Sequence, residues 1–81
     1  MSLWSMRSGD TGIIEDFLDS LPENFRIRLS ELGFHPGETV HCVKAPALGA
    51  PKLYRLNNTT FSLDKEIASQ VQLKAQARVQ S

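Results

Sequence analysis

The sequence predicts a small, mainly β protein with one or two short helices, built as a five-stranded, partly open barrel with a helix after the first strand. Short runs of β-forming residues alternate with turn signals, which is typical of small barrels. One stretch has the apolar spacing of a helix. The chain has 81 residues, enough for one small domain. We therefore expect a single domain over residues 1–75 and a frayed tail over residues 76–81.

The inserted helix is predicted over residues 22–32. Phe25, Leu29 and Leu32 recur at helical spacing, so they lie on one face, and we expect that face to be buried. A proline at the start suits the first helical turn, where its missing N–H group has no intrahelical partner to lose. Arg26 and Arg28 lie off this face and are expected to be solvated.

The end of this helix carries the clearest local signal in the chain. Gly33 follows the last apolar position, where a helix needs a residue that tolerates a positive φ angle. Phe34 comes next, where an apolar side chain folds back on the last turn. Pro36 and Gly37 then fit the centre of a type II turn. This stretch predicts a helix end followed directly by a strand.

The strands are predicted over residues 11–18, 38–44, 52–56, 59–63 and 71–73. Successive side chains of a strand point to opposite faces. In the second strand, Val40 and Cys42 should point one way and His41 the other. In the third, the same alternation directs Tyr54 and Leu56 inward and Leu53 and Arg55 outward.

Two further local signals predict a hairpin turn between the third and fourth strands and a helical turn after the fourth. Asn57 and Asn58 form a plausible two-residue hairpin turn, because asparagine tolerates the left-handed region. Asp64 suits the N-cap of a helical turn over residues 65–70 that buries Ile67 and Ala68. The order is therefore strand, helix, strand, loop, hairpin, helical turn and strand.

The two ends of the chain differ in character. Leu3, Trp4 and Met6 are apolar, and we expect them to pack as a lid over one end of the domain. Residues 74–81 are polar and unpatterned, which favours fraying. The N-terminus lacks the long apolar run of a signal peptide, and no apolar run approaches the ~20 residues that span a bilayer. We expect a soluble, cytoplasmic protein.

Composition argues against several classes of partner and chemistry. Nine basic and nine acidic residues give a formal net charge of zero, so no overall field attracts nucleic acid or a membrane surface. The single cysteine excludes an intramolecular disulfide. Small barrels with open edge strands often pair, so a homo-oligomer stays open.

No set of residues resembles a catalytic centre. His41 and Cys42 are neighbours on a strand and face opposite sides, so they cannot share a proton. Glu15 and Asp16 are likewise expected on opposite faces. Zinc sites need three or four convergent ligands, commonly with two at short spacing, and the two histidines show no such pattern. We expect no enzyme, no cofactor and no metal site, although the sequence leaves open whether His35 or His41 binds a metal.

Three motifs in order resemble the FeoA family. The similarity covers residues 3–73. It rests on Leu32-Gly33-Phe34-x-Pro36-Gly37, the valine-bearing strand after it, Ala45-Pro46-x-Leu48-Gly49-x-Pro51, and an opening with Leu3, Met6, Gly9-Asp10 and Gly12. The chain departs from the family pattern at three places: Ala47 is inserted in the loop, Ala50 stands where aspartate is common, and Asn57-Asn58 replaces a glycine-bearing turn.

The resemblance implies an SH3-like barrel and a cytoplasmic accessory protein of bacterial ferrous iron transport. The implied partner is FeoB, a membrane permease with a cytoplasmic GTPase domain, which would make the protein peripheral to the membrane through that partner. The same domain occurs in metal-dependent repressors, so a metal- or ligand-sensing domain is the alternative. The absence of a helix-turn-helix segment in this chain favours the transport role.

The surface that would bind such a partner is predicted on the third strand and the loop before it. Leu48 lies in the loop, and Leu53 and Arg55 share the outward face of the strand. An outward leucine beside an arginine matches the composition of protein interfaces. Leu53 has a competing role as cover for the flank of the barrel. A nucleic-acid role is not favoured, because the sequence shows no aromatic and basic stripe.

Overall fold

The structure is a computed structural model that describes residues 1–77. It confirms a mainly β domain with five strands, a helix after the first strand and a second helical turn before the last. A 3₁₀ turn at Leu3–Ser5 precedes these elements. Their bounds are β1 Thr11–Phe17, α1 Glu23–Leu32, β2 Thr39–Lys44, β3 Lys52–Leu56, β4 Thr59–Leu63, α2 Lys65–Ala68 and β5 Val71–Ala77. Residues 78–81 of the predicted tail lie outside the described residues, and the domain limit at residue 75 stays a prediction.

All five strands form one antiparallel sheet in the order β4-β3-β2-β1-β5. The sheet does not close, so β4 and β5 form its two edges. The inner face carries the core, and both helices and the N-terminal turn contribute to it. The buried apolar residues are Leu3, Met6, Ile14, Phe17, Leu21, Leu29, Phe34, Val40, Cys42, Tyr54, Leu56, Ala68, Val71 and Leu73.

The N-terminal segment is part of this core. Leu3 and Met6 are fully buried, and Trp4 is half-buried against the core. The Tyr54 hydroxyl donates to the Leu3 carbonyl at 2.8 Å, and the Lys52 ammonium donates to the carbonyls of Trp4 and Met6. These bonds explain why a segment near the terminus is held in place.

The end of α1 has the predicted geometry. The Phe34 N–H donates to the Leu29 carbonyl at 3.0 Å and the Gly33 N–H to the Ser30 carbonyl at 3.1 Å, which is the Schellman arrangement. Gly33 has a φ angle of 107°. The turn at Pro36 and Gly37 is closed by a bond from the Glu38 N–H to the His35 carbonyl at 3.1 Å.

The prediction that the apolar face of α1 is buried is wrong for one residue. Leu29 is buried and Phe25 is half-buried, but Leu32 is 42% exposed. The chain reverses at Gly33, and Phe34 returns to pack beneath the last turn, so Leu32 is left on the outside. α1 has ten residues, and no helix within residues 1–77 is long and apolar enough to cross a membrane.

The hairpin between β3 and β4 matches the prediction. Asn57 and Asn58 have φ angles of 52° and 66°, and Leu56 pairs with Thr59 across a two-residue turn. Asp64 caps α2 by accepting a bond from the Ile67 N–H at 3.1 Å. The helix ends at Ala68 rather than at residue 70, so it is a single turn.

The last strand is longer than predicted. β5 continues past residue 73 to Ala77, where it pairs with Thr11 of β1. The predicted end of the fifth strand at residue 73 is therefore wrong by four residues. The free edge of β1 supplies backbone partners whatever the side chains are, and a run of polar residues and alanines carries no strand signal.

Candidate partner-binding surface

The outward side of β2 and β3 carries two of the three predicted partner-binding residues. Tyr54 and Leu56 are 0% and 1% exposed, so they face the core. Arg55 is exposed and Leu53 is half-buried on the opposite side. The alternation predicted for β3 is thus confirmed. The binding role of these residues stays a prediction.

At one end of this side, Arg55 lies directly across the ladder from His41 of β2. The His41 Nδ1 atom is 3.0 Å from the hydroxyl of Thr11 on β1. Because Nδ1 is engaged with Thr11, Nε2 is the ring nitrogen left for a ligand. Two shallow clefts meet at this pair: one extends towards the Asn57-Asn58 turn, and the other towards Val43.

At the other end, a β-bulge presents two neighbouring residues to solvent. Cys42 pairs with Tyr54, whereas Lys44 pairs with Leu53, so Val43 is the extra residue between them. Val43 is 44% exposed, and Lys44 is also exposed. The bulge therefore adds an apolar and a cationic side chain beside Leu53. We call His41, Val43, Lys44, Leu53 and Arg55 together the β2–β3 outer face.

Leu48, the third predicted residue, lies in the loop that joins Lys44 of β2 to Lys52 of β3. It is 103% exposed and has a φ angle of 64°. A left-handed conformation costs a residue with a Cβ atom about 1–2 kcal/mol, and no burial offsets that cost. The loop begins and ends beside the Lys44–Leu53 pair, at the Val43 end of the β2–β3 outer face.

The prediction missed three residues of this face for different reasons. Val43 and Lys44 both face outward only because of the bulge, which simple alternation does not predict. His41 was considered for metal binding rather than as a neighbour of Arg55. The pairing register between β2 and β3 is what brings His41 and Arg55 together.

The residues considered for chemistry are separated in the structure. Cys42 is buried, and burial raises the pKa of its thiol, opposed by the positive charge of Lys52. His41 faces the other side of the sheet, and His35 is exposed after α1. Glu15 and Asp16 are both exposed, at a point where the pairing of β1 with β5 is irregular. Within residues 1–77, no group of three or more histidine, cysteine or acidic side chains is placed to hold a metal ion.

Comparison with known proteins identifies the family. The FeoA domain model matches residues 1–75. A crystal structure of Stenotrophomonas maltophilia FeoA in complex with zinc has 32% identity and a TM-score of 0.84, and the match covers 96% of each chain. That protein is described as an SH3 domain protein and is suggested to activate bacterial ferrous iron transport. No curated protein matched the sequence.

Other solved structures share the fold over most of the chain. An iron uptake regulatory protein, also FeoA, is 27% identical with a TM-score of 0.78, and the match covers 90% of this chain and 93% of that one. A manganese-dependent transcriptional repressor has 20% identity and a TM-score of 0.75, with 88% of this chain and 39% of the repressor covered, which shows a shared fold alone. The five-stranded sheet, the helix after β1 and the family match agree: this chain belongs to the FeoA family and has its small SH3-like fold.

Proposed function

We propose that this protein is a non-enzymatic, cytoplasmic accessory protein of bacterial ferrous iron uptake that binds and regulates a FeoB permease through the GTPase domain of that permease. Membership of the FeoA family supports the transport role, as does the role suggested for the Stenotrophomonas maltophilia relative. The observation that carries the binding role is the β2–β3 outer face, where Arg55 is exposed beside the half-buried Leu53.

The chemistry of this face suits a protein partner. Arginine is enriched at the centre of interfaces, where its guanidinium group makes several directed hydrogen bonds. Leu48 adds a fully exposed apolar side chain, on a residue with a left-handed backbone conformation. An apolar side chain that a partner covers stabilises a complex by about 1.5–3 kcal/mol. Regulation then means that the protein favours one nucleotide state of the GTPase domain.

A pull-down with two aspartate variants tests this proposal. The purified domain is used as bait for membranes of the source cell, with either GTP or GDP present. We expect the unaltered protein to recover a ferrous iron permease, and Leu53→Asp to recover at least tenfold less, because a charged carboxylate replaces the apolar contact of Leu53 and is costly to remove from water in an interface.

The matched control is Ile27→Asp, which makes a similar change on the exposed side of α1. Ile27 is 51% exposed and lies off the sheet. We expect this variant to recover as much permease as the unaltered protein. Equal recovery by Leu53→Asp and the unaltered protein would remove the β2–β3 outer face from the proposal, and recovery of no permease by any of the three would reject the transport partner.

The metal- or ligand-sensing alternative has one specific observation in its favour, the zinc in the Stenotrophomonas maltophilia structure. Equilibrium titration with zinc or ferrous ions separates the two functions. Affinity weaker than ~100 μM, or about −5.5 kcal/mol, is typical of surface binding and leaves the accessory role preferred.

A further inference from the structure

The zero net charge of the chain hides a marked separation of charge along the sequence. Residues 39–63, which form β2, β3 and β4, contain three basic residues and no acidic ones. All nine acidic residues lie in the rest of the chain. The charged side chains of β2, β3 and β4 are therefore all basic, and the nearest acidic residues in the sequence are Glu38 and Asp64, which flank these strands.

Two of these three cations are available at the surface. The Lys52 ammonium is used internally, because it donates to the carbonyls of Trp4 and Met6. Lys44 and Arg55 point outward on the β2–β3 outer face. Within residues 1–77, the one salt bridge joins Arg26 to Glu23, so neither of these outward cations forms a salt bridge with a carboxylate of the described residues.

Arg55 and His41 line one cleft, together with Glu38. Arg55 has His41 across one ladder and Thr60 across the other. The bond between His41 Nδ1 and the Thr11 hydroxyl orients the imidazole. A guanidinium group binds a carboxylate through two parallel N–H bonds, and a neighbouring imidazole can donate a third. This arrangement suits one carboxylate group.

The Val43 end makes the face more specific than a simple cation site. Val43 is 44% exposed and Leu53 is half-buried. An apolar side chain of the partner can pack against them, next to the partner's carboxylate. Single-stranded nucleic acid is less well matched, because it needs exposed aromatic rings for base stacking. The aromatic residues of β3 and β4 are not available for stacking with bases. Tyr54 is buried, and Phe61 packs against Phe34 with 5.3 Å between the ring centroids.

We infer that the β2–β3 outer face binds a protein segment that contains both an acidic and an apolar side chain. The carboxylate lies on Arg55 and His41, and the apolar side chain lies on Val43 and Leu53. This inference rests on the proposed function in assuming a protein partner, and it deepens it by stating the chemistry of the surface that the partner presents.

Backbone NMR spectra of the ¹⁵N-labelled protein test the inference without the permease. Two capped decapeptides are titrated: one contains two glutamates and two leucines, and the other has glutamine in place of glutamate. We expect the amide signals of His41, Val43, Leu53 and Arg55 to move with the glutamate peptide, with at least tenfold weaker binding of the glutamine peptide. Arg55→Ala should weaken glutamate-peptide binding at least tenfold, and Arg55→Lys should weaken it less.

Arg28→Ala is the matched control, because Arg28 is an exposed arginine of α1. It should bind the glutamate peptide as the unaltered protein does. Equal binding of both peptides, no binding of either, or equal losses in the Arg28→Ala and Arg55→Ala variants would overturn the inference. Tighter binding of a ten-nucleotide single-stranded DNA, or of inorganic phosphate, at the same signals would also overturn it.

The two proposals fail in different ways. Recovery of the permease together with no preference for the glutamate peptide would leave the accessory role and reject the acidic segment. Selective binding of the glutamate peptide without recovery of a permease would support the acidic segment and reject the transport partner.

Discussion

Phe34→Ala is expected to lower the free energy of unfolding by about 3–5 kcal/mol, as full truncation of a buried phenylalanine does. Phe34 is 0% exposed and its ring makes an edge-to-face contact with Phe61 at 5.3 Å. It also follows Gly33 at the end of α1, so the substitution removes the apolar contact of the Schellman motif. Domains of this size have about 4–12 kcal/mol of stability. Urea denaturation followed by circular dichroism measures the loss.

Phe34→Leu is the control, because leucine keeps an apolar side chain beneath the last turn of α1. We expect it to cost about 1–2 kcal/mol, since most of the volume is retained. Surface substitutions usually change the free energy of unfolding by less than about 0.5 kcal/mol. A loss below about 1 kcal/mol for Phe34→Ala would therefore contradict the role of Phe34 in joining α1 to the sheet.

Lys52→Met is expected to lower the free energy of unfolding by about 2 kcal/mol, the usual loss for bonds from a charged donor. The Lys52 ammonium donates to two carbonyls of the N-terminal segment and lies 4.6 Å from the centre of the Trp4 ring. Methionine keeps an unbranched apolar stem and removes only the charge and the donors. The single tryptophan makes the fluorescence of Trp4 a direct measure of this segment.

Lys44→Met supplies the control for this prediction, because Lys44 is an exposed lysine of the neighbouring strand. Its effect on stability should be within about 0.5 kcal/mol, as for other surface substitutions. If both variants unfold at the same urea concentration and with the same Trp4 emission as the unaltered protein, Lys52 does not hold the N-terminal segment on the core.

The turns and most strand limits were predictable because the residues that determine them act locally. Asn57 and Asn58 tolerate positive φ angles, and the observed β3 and β4 match the predicted ranges of 52–56 and 59–63. Gly33 ends α1 because glycine adopts the positive φ angle that the helix end requires. β5 was predicted too short because its extension depends on pairing with β1, which is a long-range effect that its own side chains do not show.

The candidate site was predictable only in part, because some of its residues are brought together by pairing between strands rather than by local signals. Alternation along β3 correctly directed Leu53 and Arg55 outward. Val43 and Lys44 join them through a bulge, and His41 joins them through the register of β2 with β3. Lys52 could not be recognised as an internal donor, because the carbonyls it binds are close in space but distant in sequence. The separation of basic and acidic residues can be read from the sequence, but the net charge of zero does not show it.

We propose that a FeoB permease binds the β2–β3 outer face. The most direct measurement is a titration of the ¹⁵N-labelled protein with the purified GTPase domain of the permease. We expect the amide signals of His41, Val43, Leu53 and Arg55 to shift or broaden first. Signals of α1 that change first, or no change at any concentration of the GTPase domain, would contradict it.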